Sequence, residues 1–149
     1  GCLAHLESVE EVQSAVLRVV CRGGQRFQLF HAERGSYGRW RGQARCCEPD
    51  VALEIPLELQ PLADRLGSLI ADAQRRGMES MLPLLPPYRL DEAGWVANRW
   101  AELLPWAVPF KEHLLSTDDP LKRLELVAQV VKTSGNDGAS GREPGTGGE

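Results

Sequence analysis

The chain has 149 residues, 42% of them hydrophobic and 26% charged, with a mean hydropathy of -0.29. That is enough for one domain with a core, or two small lobes. Seventeen basic side chains against 21 acidic ones leave a net charge of -4, which argues against the basic surface of a nucleic-acid binder. No apolar run is long enough to span a membrane, and no secretory signal opens the chain. It starts at Gly1 and runs directly into strand-like sequence, so an N-terminal part is expected to be missing. Cys2, Cys21, Cys46 and Cys47 show no CxxC spacing, so no zinc site is expected. They read as small, partly buried apolar residues in a reducing cytoplasm.

The first third predicts a β-meander. Gly1–Val12 forms a first strand, and Gln13-Ser14 a tight turn. Ala15–Arg22 alternates Ala15, Leu17, Val19 and Cys21 against Val16, Arg18, Val20 and Arg22. Gly23-Gly24 then reads as a turn, because paired glycines tolerate positive φ. A third strand, Gln25–Glu33, carries Phe27, Leu29 and His31 on one side. After the turn Gly35-Ser36-Tyr37-Gly38, a fourth strand over Arg39–Glu48 sets Trp40, Gly42, Ala44 and Cys46 against Arg39, Arg41, Gln43 and Arg45. Such alternation predicts one wet face.

Beyond Glu48-Pro49-Asp50 the period becomes helical. Leu62, Leu66, Leu69, Ile70 and Ala73 form a stripe that ends at Arg75-Arg76-Gly77, a basic last turn followed by glycine. Leu82-Pro83-Leu84-Leu85-Pro86-Pro87 is an apolar connector. Asp91 is the expected N-cap of a helix carrying Val96, Trp100, Leu103 and Leu104, which stops before Pro105. A short helix starts near Pro109. Asp119-Pro120 opens the last, with Leu121, Leu124, Ala128 and Val131 on one face. Thr133–Glu149 is rich in glycine and expected to be disordered. The predicted class is α+β, with a β-rich lobe over 1–50, a helical lobe over 51–132 and a tail over 133–149.

Catalytic signatures are missing. None of Lys111, Lys122 and Lys132 follows a glycine in a phosphate-binding loop, and His5, His31 and His113 form no H-E-x-x-H motif. His31 near Cys46 or Cys47 would be a thiol–imidazole pair, and Ser116 with Lys111 a dyad; neither rests on a specific pattern. The predicted chain is therefore no enzyme, with no catalytic residue, metal or cofactor. Two surfaces are candidate binding sites. Leu82, Leu84, Leu85, Tyr88, Trp95, Trp106 and Phe110 would line an apolar groove for an extended or unfolded segment, their ordinary alternative being core. Arg39, Arg41 and Arg45, joined by Arg18 and Arg22, would form a basic face for an acidic partner or nucleic acid. Its ordinary alternative is a solvated sheet face interspersed with Glu7, Glu10 and Glu33.

The order of features resembles the N-terminal, substrate-binding domain of Lon proteases. Gly1–Leu6, Val9–Val12, Leu17–Gly23 and Gln25–Leu29 look like its central strands. Ala97–Pro105 is similar to its helix with a Leu-Leu-Pro stop, and Lys111, Leu114-Leu115 and Asp118–Leu124 to its final segment. The resemblance covers residues 1–131. It implies a PUA-like pseudo-barrel followed by a helical bundle, of the stand-alone bacterial type. The family's opening "PLFPL…LFPG" strand and "R-I-F-E…Y" segment do not occur, so the implied barrel is incomplete, with unpaired edges. The resemblance implies recognition of unfolded or damaged polypeptides in protein quality control. A separate AAA+ protease or a second copy of the chain would be further partners. The alternative is a PUA-like module for a nucleic acid or small ligand, and a third reading is an enzyme using a cysteine.

Overall fold

The computed structural model describes residues 1–136. The chain divides into two compact units, one over 1–49 and one beginning at Asp50.

The first unit is an open antiparallel sheet in the order β1-β2-β3, formed by Cys2–Gln13, Val16–Arg34 and Trp40–Cys46. Two strands expected over 15–33 are one. Strand β2 pairs with β1 through its first half, from Gln13↔Val16 to Cys2↔Arg26, and with β3 through its second, from Phe27↔Cys46 to Arg34↔Trp40. The Gly23-Gly24 pair is therefore no turn. Gly24 answers a close approach: a Cβ there would stand 2.5 Å from His5 Nε2, and the Cys2 thiol donates to its carbonyl at 3.1 Å. Register shifts on both sides of Ala4–Leu6 add the local twist that bulges produce. The β1–β2 turn lies at Ser14-Ala15, one residue beyond the expected Gln13-Ser14, with Ala15 at φ 63°.

The expectation of one wet face also fails. No residue of the sheet unit is buried, and Leu6, Val9, Leu17, Val19, Phe30 and Trp40 all stand exposed. Three strands pair edge to edge, and this unit contains no second layer to cover either face among the described residues. The same reason leaves Cys2, Cys21 and Cys46 exposed rather than partly buried; Cys47 alone is half-buried, and all four thiols are free.

The second unit holds four α-helices among the described residues: α1 (Gln60–Arg75), α2 (Ala93–Leu103), α3 (Val108–Ser116) and α4 (Pro120–Asn136). Its core gathers Leu62, Leu66 and Ile70 of α1, Val96 and Ala97 of α2, Leu114 of α3, and Leu124, Val127 and Ala128 of α4. Leu69, expected on the inner stripe of α1, stays exposed. Trp100 is half-buried, and its indole N–H reaches across to the Leu62 carbonyl at 3.1 Å, so burial leaves that donor paired.

Helix starts differ in what satisfies them. Asp119 accepts the backbone N–H of Leu121 at 2.9 Å and of Lys122 at 3.3 Å, capping α4 as expected. Asp119→Ala is expected to lower folding stability by about 1 kcal/mol, measured by denaturant unfolding; an unchanged midpoint would contradict the cap. Asp91 does not cap α2. The N-cap position is Glu92, and the Leu53 carbonyl takes the Ala93 N–H at 2.9 Å, so connector backbone replaces a side chain. Glu92 instead pairs with Arg89 at 3.1 Å. Helix α4 continues to Asn136, four residues into the expected tail; the rest of that tail, 137–149, lies outside the described residues.

Among the described residues one charged side chain is inside. Arg123 is 1% exposed. Its Nη1 donates to Asp50 Oδ2 at 2.5 Å and to Asn98 Oδ1 at 3.3 Å, while its Nη2 donates to Asp50 Oδ1 at 3.3 Å and the Thr117 carbonyl at 2.6 Å. Its Nε–H is shared between the Leu114 and Thr117 carbonyls, each at 3.2 Å. The rigid fork of a guanidinium suits this task, tying α4 to the start of the unit, to α2 and to the end of α3.

Candidate functional site

Along the outer side of α1, Leu69 and Ala73 are one turn apart, with Arg76 just past the helix end. The helix then stops in a Schellman motif. The Met78 N–H donates to the Ala73 carbonyl at 2.8 Å and the Gly77 N–H to the Gln74 carbonyl at 3.1 Å, with Gly77 at φ 64°. This reversal lays Met78 and the 3-10 turn Glu79–Met81 back along the helix. The result is a groove of about 230 Å³ lined by Leu69, Asp72, Ala73, Met78, Met81 and Leu82, with Arg76 at its rim. Met81 is 72% exposed. Unbranched thioethers adapt their shape to varied apolar partners. Asp72 is paired with Arg75 and stays at the polar edge.

The seven apolar candidates divide. Leu82 lines this groove and Leu85 is 52% exposed, but Leu84 is buried in the core. Tyr88 and Trp95 meet edge to face at 6.2 Å, and Trp106 and Phe110 do so at 5.2 Å. All four rings are half-buried and pack against the core. The Arg99 guanidinium lies 5.7 Å over the Trp95 ring and pairs with Glu102 at 3.1 Å. Leu69, Met78 and Met81 were not among the expected residues. The signal for them was a Met-x-x-Met-Leu run directly after the basic helix end.

The basic candidates divide as well. Arg18 pairs with Glu10 at 3.2 Å and Arg22 with Glu7 at 2.5 Å, so the acids of β1 neutralise them. Arg45 donates to Gln28 at 3.3 Å and lies 5.5 Å over the Phe30 ring. Only Arg39 and Arg41 line a shared depression, together with Arg34 of β2.

Neither drawn nucleophile is assembled. His31 stands opposite Gln43, whereas Cys46 stands opposite Phe27, so thiol and imidazole are out of register. The Ser116 hydroxyl donates to the His113 carbonyl at 2.9 Å. Among the described residues no group of three His, Cys, Asp or Glu side chains could hold a metal ion. No helix there is long and apolar enough to cross a membrane.

No known family model and no curated protein matches the sequence. Among solved structures, a Lon N-terminal domain protein from Xanthomonas campestris is 29% identical, with a TM-score of 0.64 over 87% of this chain. The fold is Lon N-terminal-like. The chain spans 64% of that protein's length. In this Lon-like arrangement the unclosed three-stranded sheet comes first and the four helices follow, as the α+β expectation had it.

Proposed function

We propose that the chain is a non-catalytic polypeptide-recognition module that binds unfolded or damaged segments in protein quality control, in the cytoplasm of a bacterium. The observation that carries this reading is the groove beside α1, where Leu69, Met78 and Met81 leave adaptable apolar surface in the open, with Leu82 at its base. Likeness to a Lon N-terminal domain protein supports the same class of role. Leu85, 52% exposed, extends the candidate surface, with a separate AAA+ protease as the downstream partner.

The groove makes no directional demand on its occupant apart from the Asp72 and Arg76 edge, which suits apolar side chains of varied sequence. A Met81→Asp variant is expected to weaken binding of an unfolded polypeptide about tenfold, read by fluorescence anisotropy, with the far-UV circular dichroism unchanged. Undiminished affinity in that variant would remove the groove from the reading.

The second reading, a nucleic-acid or small-ligand binder, is favoured by one observation. Arg34, Arg39 and Arg41 gather around one depression in the sheet unit.

A further inference from the structure

The β2–β3 connection folds into a closed turn. The Gly35 N–H donates to the Arg39 carbonyl at 2.7 Å, and the Arg39 N–H to the Ser36 carbonyl at 3.4 Å. Tyr37 at φ 60° and Gly38 at φ 74° carry the chain through the left-handed region, where a glycine is at ease and a tyrosine is strained. Tyr37 is 97% exposed, so no packing of its ring accounts for that conformation.

The turn sets arginines from both strands around a depression of about 370 Å³, lined by Glu33, Arg34, Ser36, Tyr37, Arg39 and Arg41. Two of them lie against glycine backbone. A Cβ on Gly38 would stand 3.4 Å from Arg34 Nη2, and one on Gly35 would stand 3.9 Å from Arg41 Nε. Among the described residues Glu33 is the one acid lining the depression, and its carboxylate lies 3.9 Å from His31 rather than in an ion pair with Arg41. Among the described residues Arg34, Arg39 and Arg41 have no carboxylate partner, in contrast to Arg18 and Arg22 on the same sheet. Three guanidinium groups against one carboxylate leave a local charge of about +2 in a concave site, with the Ser36 hydroxyl beside them.

We propose that this turn is an oxyanion site for a phosphomonoester dianion, bound by the forks of Arg34 and Arg41, with Arg39 closing the third side. Guanidinium forks match the geometry of tetrahedral phosphate oxygens and form short charge-assisted bonds to them. The site belongs to the sheet unit and shares no residue with the α1 groove, so it goes beyond the polypeptide reading and stands or falls separately.

Titration calorimetry of the full chain with inorganic phosphate at low ionic strength tests it. A dissociation constant in the millimolar range is expected. Arg34→Gln and Arg41→Gln should each weaken it about tenfold. Arg18→Gln, which removes a paired arginine, and Met81→Asp, in the groove, should leave it unchanged. Since all these side chains are on the surface, circular dichroism will show each variant folded. No phosphate binding, or equal weakening by Arg18→Gln, overturns the site. A short single-stranded RNA that binds where inorganic phosphate does not, with affinity rising with its length, also overturns it in favour of a phosphodiester backbone.

Discussion

Replacing Arg123 with alanine is expected to lower the stability of the helical unit by about 3–5 kcal/mol. The loss comes less from the missing attraction than from what remains. Asp50 loses a bidentate partner, and the Leu114 and Thr117 carbonyls lose their charged donor. Against a total stability of about 5–15 kcal/mol for a small domain, the change is large enough to populate the unfolded state under mild denaturant. Asp50→Asn keeps the shape and some of the hydrogen bonding, so its cost should be smaller, about 1–3 kcal/mol. The pair of variants is read by urea melts followed at the tryptophans. Equal and small effects would mean that the ion pair is peripheral.

Leu66→Ala is the second large effect. Leu66 is fully buried in the helical core, and truncation removes three carbons from a packed site. A loss of about 2–5 kcal/mol is expected, its size set by how far the neighbouring side chains collapse into the space. Leu69→Ala, one turn of sequence pattern away but exposed, should cost less than about 0.5 kcal/mol. The contrast between these two leucines is measurable in one set of denaturant melts. A similar loss at both positions would contradict the inner and outer faces assigned to α1.

The helices were legible because their signals are local. Asp119-Pro120 starts α4, and Arg75-Arg76-Gly77 ends α1, whatever the rest of the chain does. The larger departures depend on residues far away in sequence. Gly23-Gly24 has the composition of a turn; only His5 and Cys2 arriving from β1 make it the middle of a 19-residue strand. Asp91 lost its capping role to the Leu53 backbone. The burial of Arg123, between Leu121 and Leu124, likewise depends on Asp50, 73 positions earlier.

The candidate site was legible in part for the same reason. The Leu82–Tyr88 connector was marked by its prolines, but exposure within it alternates between Leu84, which turns inward, and Leu85, which turns out. The aromatic side chains pair with one another and lean on the core, so their apolar character is largely spent on packing. Met78 and Met81 carry the open surface because the chain reversal at Gly77 brings them beside Leu69.

The most direct test of the polypeptide-recognition reading compares one protein in two states. The affinity of the full chain is measured by anisotropy for a reduced, permanently unfolded polypeptide and for its native, disulfide-bonded form. Binding at least about tenfold tighter to the unfolded form is predicted, since only that form presents apolar side chains to the α1 groove. Equal affinity for both forms, or binding to neither, would contradict it.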